Sequence, residues 1–578
     1  MRIIRVDMTE KKTSMEDIPE GLTGLGGRGL CSMLINSEVP ADCDPLGTGN
    51  KLIIAPGILA GTSLVNTCRI SVGAKSPLTR TIKESNAGGT IGSLLGQMEL
   101  TLVLEGSDQA DGLFLLKIDG QGSPSLIPAN GYQGLRTYAL AEKISREFGP
   151  GVSFLGIGPA GELQLLSASI QSSDTEGRPC RAAGRGGLGA VMGSKGIKAI
   201  LVERPGKDLP AWKEPEAFKA AAKTFARGLR EHPFTGKMLP SLGTAGLVGP
   251  VNSLGAFPSY NATKGQMDNW ERISGEKLAE TIKNRGGITT HGGCSRCVIN
   301  CSNVYHDEQG HYLTGSLEYE TLWSMGGMTG IDDLDCLARL DFLCDDIGLD
   351  TMNTGVALAV AMDAGHIPFG DQQAVLDLME ETAAGNGLGR VIGNGPAAVG
   401  AFLGHARIPV VKNQSIAAYD PRAMQGNGVT YATSTMGADH TAGNLLGNYL
   451  SKKMDPLTAK GQMEASKQAQ ITMAFLDSTG LCLLAGAMLS QPETLDAFLS
   501  MLSLRLGRKF EQKDMQELGI RVLQAERKFN QKAGFSSKDD RLPDFFKEEA
   551  LPPHNTVFMV PDQDLDRVFD FTNQDPKP

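Results

Sequence analysis

Long apolar runs are missing from this chain. No stretch reaches the ~18 apolar residues that a membrane-spanning helix needs; the nearest, around Val356–Ala364, is interrupted by Asp363. The opening residues, MRIIRVDMTE, lack the apolar core of a secretory leader. Cysteine is dilute, with ten unevenly spaced in 578 residues. That excludes a disulfide scaffold and points to reduced thiols in a cytoplasmic protein. A surplus of positive charge is also missing. With 55 basic against 65 acidic residues the net charge is −10, which disfavours nucleic acid and anionic membranes as partners. Aromatic residues make up only 6%.

Glycine is in excess: 72 residues of 578, against a usual ~7%. Without a collagen period, these glycines mark sharp turns or places where backbone passes close to something. Short apolar runs at Lys51–Ile54, Thr101–Leu104, Leu113–Ile118, Val152–Ile157, Leu163–Ile170 and Ile197–Val202 alternate with Gly, Pro, Asn and Asp, the pattern of strands. From Pro205 the texture changes. Segments such as Glu214–Glu231, Asp333–Asp345, Gln373–Ala383, Pro396–His405, Pro456–Asp477, Pro492–Leu506 and Lys513–Gln531 space apolar residues by three and four, which predicts helices. The expected architecture is α+β: a β-rich domain over 1–205, then two mostly helical domains over 206–408 and 409–578. The final TNQDPKP reads as a disordered tail.

The sharpest motif is Cys294-Ser-Arg-Cys297-Val-Ile-Asn-Cys301, preceded by His-Gly-Gly. Three thiols spaced this way can wrap one iron–sulfur cluster, whose fourth thiolate comes from a distance. A zinc site with two separated pairs and three unrelated thiols are the weaker readings. Cys31, Cys43, Cys68, Cys180, Cys336, Cys344 and Cys482 all remain as candidate fourth ligands. Cys482 closes the hexad Asp477-Ser-Thr-Gly480-Leu481-Cys482, and a related hexad runs Asp345-Asp-Ile-Gly348-Leu349-Asp350. Each follows a helical stretch, with a glycine suited to a left-handed cap. Two plain helix ends are the simpler reading of that pair. Further Gly-, Arg- and Asn-rich clusters (Gly26–Gly29, Asn66–Arg69, Ser85–Gly89, Arg181–Gly187) would let backbone approach an anionic ligand. Gly156-Ile-Gly158-Pro-Ala-Gly161 matches a dinucleotide fingerprint, but ELQLLSASI after it reads as a strand, not the required helix.

Taken together these residues resemble the aldehyde:ferredoxin oxidoreductases, tungsten (sometimes molybdenum) bis-pterin enzymes, and the resemblance runs from Gly26 to Pro543. It implies a β-rich first domain cradling two pterins. Cys294, Cys297, Cys301 and Cys482 match the ligands of a [4Fe–4S] cluster. Asp345 and Asp477 match the acids that bind the pterins, with Gly348, Leu349, Gly480 and Leu481 shaping those loops. Arg69 matches the arginine between cluster and pterin. Asn86 and Ala183 match groups near a Mg²⁺ that bridges the pterin phosphates, with Gly184 and Arg185 beside them. Glu320, His440 and Tyr419 match the acid, histidine and tyrosine of the substrate site, Glu318 competing with Glu320. The implied reaction is oxidation of an aldehyde to a carboxylic acid, with electrons passing to ferredoxin or a small iron–sulfur subunit. A homodimer or hetero-oligomer is compatible with this. Asp332–Asp341 lacks the E-x-x-H that binds an inter-subunit metal in family homodimers, so no bridging metal is expected. A reductive or electron-relay subunit on the same scaffold is the alternative. The reductive form would offer the metal a cysteine, and Tyr431–Gly443 holds none.

Overall fold

The computed structural model describes residues 1–107, 112–206 and 214–571. The tail read as disordered lies outside them. The fold is the expected mixture, with a β-rich first part and a helical remainder.

The first part contains two six-stranded sheets. Strands β1 (Arg2–Asp7), β2 (Lys12–Asp17), β3 (Leu52–Pro56), β4 (Ile70–Lys75), β5 (Ile82–Ala87) and β6 (Leu100–Glu105) lie in the order β2-β1-β6-β3-β4-β5. Strands β7 (Phe114–Ile118), β8 (Pro124–Pro128), β9 (Ser153–Gly156), β10 (Ile170–Ser172), β11 (Arg181–Ala183) and β12 (Ile197–Val202) lie in the order β11-β10-β9-β12-β7-β8. The two orders are the same topology. In each sheet the first strand pairs in parallel with the last, and every other pairing is antiparallel. Helices also recur at matching places. Gly27–Glu38 and Thr137–Phe148 each precede the third strand, and Ile91–Met98 and Leu188–Ser194 each precede the last. The domain is a structural duplication.

Both sheets contribute to one core. Ile4, Leu52, Ile54, Val72 and Leu102 of the first meet Leu116, Leu155, Ile170 and Ile200 of the second. Each such side chain is fully buried, and burial of one stabilises by roughly 1.5–3 kcal/mol. β3, β4, β9 and β12 are covered on both faces; Leu52–Ala55 of β3 and Ala199–Val202 of β12 accordingly read as continuous apolar runs.

One expected strand does not form. Residues 163–169 are turns and irregular chain with one isolated bridge, Ala168 to Leu349, and strand begins only at Ile170. Their backbone donors are engaged elsewhere: Ser167 N donates to Gly393 O at 2.9 Å and Ser169 N to Gly348 O at 2.9 Å. The Gly158-Pro-Ala-Gly161 segment is a single helical turn. Gly158 is needed there for close approach, since a Cβ would lie 2.3 Å from Ile347 O. Helix Gln462–Thr479 starts six residues after Pro456, behind Gly461 in the left-handed region (φ 76°). No helix among the described residues is long and apolar enough to cross a membrane.

Candidate active site

Helices Leu334–Ile347 and Gln462–Thr479 end on Gly348 (φ 82°) and Gly480 (φ 80°), positions that an L side chain would strain. Each cap rests on the matching corner of one sheet. Arg69 N donates to Gly480 O at 3.4 Å, and Ser169 N to Gly348 O at 2.9 Å. Cys482 N donates to Asn66 O at 2.8 Å, and Asp350 N to Ser167 O at 3.0 Å. A Cβ on Gly57 would lie 2.1 Å from Gly480 N, so this corner requires glycine. The two hexads are therefore one device used twice, and they aim Asp345 and Asp477 into the same cavity.

That cavity has a volume of about 320 Å³ and is lined mainly by charged and polar residues. Arg69, Asn86, Gly184, Arg185, Cys294, Glu320, Asp345, Leu349, Asp477 and His440 reach it; so do Glu84, Arg181, Glu318, Asp341, Asp350 and Asp439. Ala183, Gly348, Gly480, Leu481 and Tyr419 are not among the residues lining it, nor are Cys297, Cys301 and Cys482. The acids are strongly perturbed. Burial pushes Asp477 up to about 6, against Arg28 and Arg69. It pushes Asp341 up to about 7 and Glu84 up to about 8. Asp345 is raised well above the usual carboxylate range by burial, with Asp341 adding to it. Arg28, itself buried, holds Glu526 at 2.9 Å and reaches Asp477 at 3.4 Å. Arg69 donates through Nε to Asn86 Oδ1.

At one end of the cavity are the thiols. Cys294, Cys297 and Cys301 occupy the loop between β13 (Ile288–His291) and β14 (Ser302–His306), where Arg296 and Asn300 take left-handed φ of 56° and 54°. Asn66 joins this loop to Cys482: its side chain donates to Cys297 Sγ at 3.3 Å and accepts from Val298 N at 3.2 Å, while its carbonyl takes Cys482 N. The thiols sense one another. After burial, Cys294 and Cys482 raise Cys297, and Cys482 also raises Cys301. Cys294 is instead held well below the usual thiol range, first by a hydrogen bond from Cys68 and then, against burial, by Arg181 and Arg69. A Cβ on Gly88 would fall 2.6 Å from Cys294 Sγ and 3.5 Å from Arg69 Nη1. Four thiols on two loops, with amide donors and arginines around them, suit an anionic iron–sulfur cluster. The pocket beside them suits a polar, phosphate-bearing ligand, since it offers arginines, backbone amides and hydrogen-bonding acids.

At the other end, Glu320 sits at the start of a helical turn that widens into a π-helix over Leu322–Gly327, a distortion frequent at functional sites. Its Oε1 is 3.3 Å from His440 Nε2, and its Oε2 accepts from Ala418 N at 3.3 Å. Burial raises Glu320 above the usual range, opposed by His440 and Arg185. Glu320 Oε1 and His440 Nδ1 are buried without a hydrogen-bond partner, and such atoms mark a place for water or ligand. The Tyr419 ring lies 6.2 Å from the imidazole and 5.5 Å from Tyr319. Glu318 does not share this position. It accepts from Thr244 and Ser316 at 2.5 Å and pairs with Arg181 at 3.5 Å, on the thiol side.

Sequence reasoning missed Lys83, Glu84, Arg181, Asp341, Asp350 and Asp439 as site residues. Arg181 lies within a Gly/Arg cluster, Asp350 closes the second hexad and Asp439 adjoins His440; Lys83, Glu84 and Asp341 carry no local signal. Asp174, Glu176 and His291 bring three ligand atoms within 4.8 Å. His291 already takes Glu176 at 2.8 Å, and Arg178 pairs with Glu176 at 2.6 Å, so this group tethers the thiol loop to the β10–β11 turn.

Two family models match the chain: "Aldehyde ferredoxin oxidoreductase, N-terminal domain" over residues 3–204 and "Aldehyde ferredoxin oxidoreductase, domains 2 & 3" over 220–572. The tungsten-containing aldehyde ferredoxin oxidoreductase of Pyrococcus furiosus is 34% identical over 575 residues, covering 95% of this chain and 92% of that protein. Its Thermococcus kodakarensis counterpart is 33% identical with the same coverage. The WOR-like subunit of an aliphatic sulfonate oxidoreductase from P. furiosus is 26% identical over 535 residues, 83% of this chain and 78% of that one. Among solved structures, the active site complex BamBC of benzoyl coenzyme A reductase superposes with a TM-score of 0.81 at 20% identity, over 99% of this chain and 94% of that one, a likeness of fold.

Proposed function

The chain belongs to the aldehyde ferredoxin oxidoreductase family, and we propose that it oxidises an aldehyde to a carboxylic acid and delivers the electrons to ferredoxin or a ferredoxin-like subunit. The observation that carries this reading is the cavity itself. It joins the orphaned Glu320–His440 pair at one end to Cys294 at the other. The reaction takes aldehyde and water to acid, two electrons and two protons. A tungsten bis-pterin would supply the two-electron chemistry and a [4Fe–4S] cluster the single-electron exit.

The protein's part is binding, orientation and proton handling. Asp345 and Asp477 would accept N–H groups of the pterins, and Asn86 and Ala183 would lie beside their phosphates and a Mg²⁺. Arg69, which lines the cavity with Cys294, would donate to the pterin next to the cluster. Cys294, Cys297, Cys301 and Cys482 would hold the cluster. His440 Nε2 donates to the carbonyl oxygen of the substrate, while Glu320 takes a proton from the attacking water. Burial raises Glu320, which makes it a better base near neutral pH. Tyr419 braces the imidazole.

Metal analysis and turnover test this. Purified protein should contain tungsten with about four iron per chain, and reduce a viologen dye in the presence of an aldehyde panel. Glu320→Gln should lower kcat by about 10²-fold or more with tungsten retained. A Glu320→Gln, His440→Asn double variant with its metal bound and full turnover would refute these roles; iron with neither tungsten nor molybdenum would refute the enzyme and favour an electron relay.

A further inference from the structure

Lys83 is the second residue of β5, 1% exposed, and no step above uses it. Its stem runs against Gly186, whose added Cβ would lie 2.5 Å from Lys83 Cγ. Its Nζ meets Asp439 Oδ2 at 3.0 Å, across 356 residues of chain. A buried ammonium is costly unless paired, so this contact defines where both groups stand.

Asp439 is the residue before His440, and its two oxygens are both engaged. Oδ1 accepts from Thr441 N at 3.0 Å and Thr441 Oγ1 at 2.8 Å, which caps the short turn His440–Ala442. Oδ2 takes Lys83 and, at 3.4 Å, the Gln414 side-chain amide. The His440 Nδ1 lies 3.8 Å from Oδ1, beyond a hydrogen bond, and is unpartnered. A carboxylate beside a working imidazole commonly takes its N–H. Here the carboxylate is adjacent and held by Lys83 instead. Other groups facing this turn are Glu320, Tyr419 and Asp477 of helix Gln462–Thr479, with Tyr431 of helix Gln425–Thr433 acting on Glu320. Arg185 also acts on Asp439 and donates to Ala438 O at 2.8 Å.

We propose that Lys83 is a positioning residue: by holding Asp439 Oδ2 it fixes the turn that presents His440 to Glu320 and withholds that carboxylate from the imidazole. The proposal rests on the role given above to His440. Without the ammonium, the imidazole 3.8 Å from Asp439 Oδ1 is placed to take up a compensating proton.

The test is the rate of His440 modification by diethyl pyrocarbonate against pH, read by mass spectrometry on the full-length protein with its bound metals. Lys83→Met should move the midpoint to higher pH by about one unit. Adding Asp439→Asn should return it to the wild-type position, which a purely structural role would not do. An unmoved midpoint in Lys83→Met, or a double variant that stays shifted, overturns the proposal. If Lys83→Met does not fold, Asp439→Asn alone decides: it should move the midpoint down, and no movement overturns the idea. Wild-type protein that fails to reduce a viologen with any aldehyde refutes the functional reading and leaves the labelling result standing.

Discussion

The two sheets of the first domain share strand order, helix placement and a glycine-capped helix end docked at the same corner, but differ in the side chains they present there. Where the first sheet has Arg69, the second has Ser169, each donating its backbone N–H to a hexad glycine. Where the first hexad ends in Cys482, beside the thiol loop, the second ends in Asp350, which pairs with Arg185 at 3.5 Å and caps helix Thr351–Asp363. The acids differ too. Asp477 is held by Arg28; the backbone carbonyl of Asp345 takes the Thr137 hydroxyl at 2.8 Å. One duplicated scaffold thus makes two similar seats for a two-part ligand, and only one of them leads to the thiols. Backbone sets the symmetry, and a few side chains give it direction.

The most severe way to break that asymmetry is Cys482→Asp, which makes the hexads alike. It should weaken the cluster, read as lower iron content and cluster absorption, because a carboxylate is a harder and poorer ligand than thiolate for an iron–sulfur cluster. Next come the two corners. Gly57→Ala and Gly158→Ala would place a Cβ 2.1 Å from Gly480 N and 2.3 Å from Ile347 O. Each should cost about 1–3 kcal/mol or more in overpacking, seen as a lower midpoint of thermal unfolding, and similar losses at both sites would support the duplication.

Asp477→Asn tests the acid. A carboxyl raised to about 6 in the folded chain, from ~3.9 unfolded, binds its proton more tightly when folded. Stability from this group is present below about pH 4 and lost as pH rises through 6. Without cofactor, Asp477→Asn should therefore stabilise the chain at pH 8 by about 3 kcal/mol and leave pH 4 unchanged, measured by denaturant titration; equal effects at both pH values would contradict the shift. The smallest contrast is Arg69→Ala against Ser169→Ala. The first should slow reoxidation of the reduced enzyme by ferredoxin several-fold, and the second should leave it within twofold.

Some of this was legible beforehand because its signals are local. The spacing of Cys294, Cys297 and Cys301, the two hexads and the glycine runs each occupy a few consecutive residues, and helix ends and turns are governed by neighbours in the chain. The duplication was not legible. Its halves need only matching hydrogen-bond ladders and buried faces, which very different sequences supply. Residues 163–169 misled for a related reason: apolar content predicts burial, while the partner of the backbone N–H groups decides whether burial takes the form of a strand.

By itself the sequence determined the chemistry available: a thiol set, paired acids, arginines beside glycines, a glutamate and a histidine. Only the tertiary structure decided which of these meet. Glu320 and Glu318 are two residues apart, yet one faces His440 and the other Arg181. Lys83 and Asp439 are 356 residues apart and share a buried ion pair; Arg28 and Glu526 are 498 apart and do the same. Such pairs have no signature in spacing. Their energy depends on burial and on distances of about 3 Å, and both exist only after distant segments have packed together.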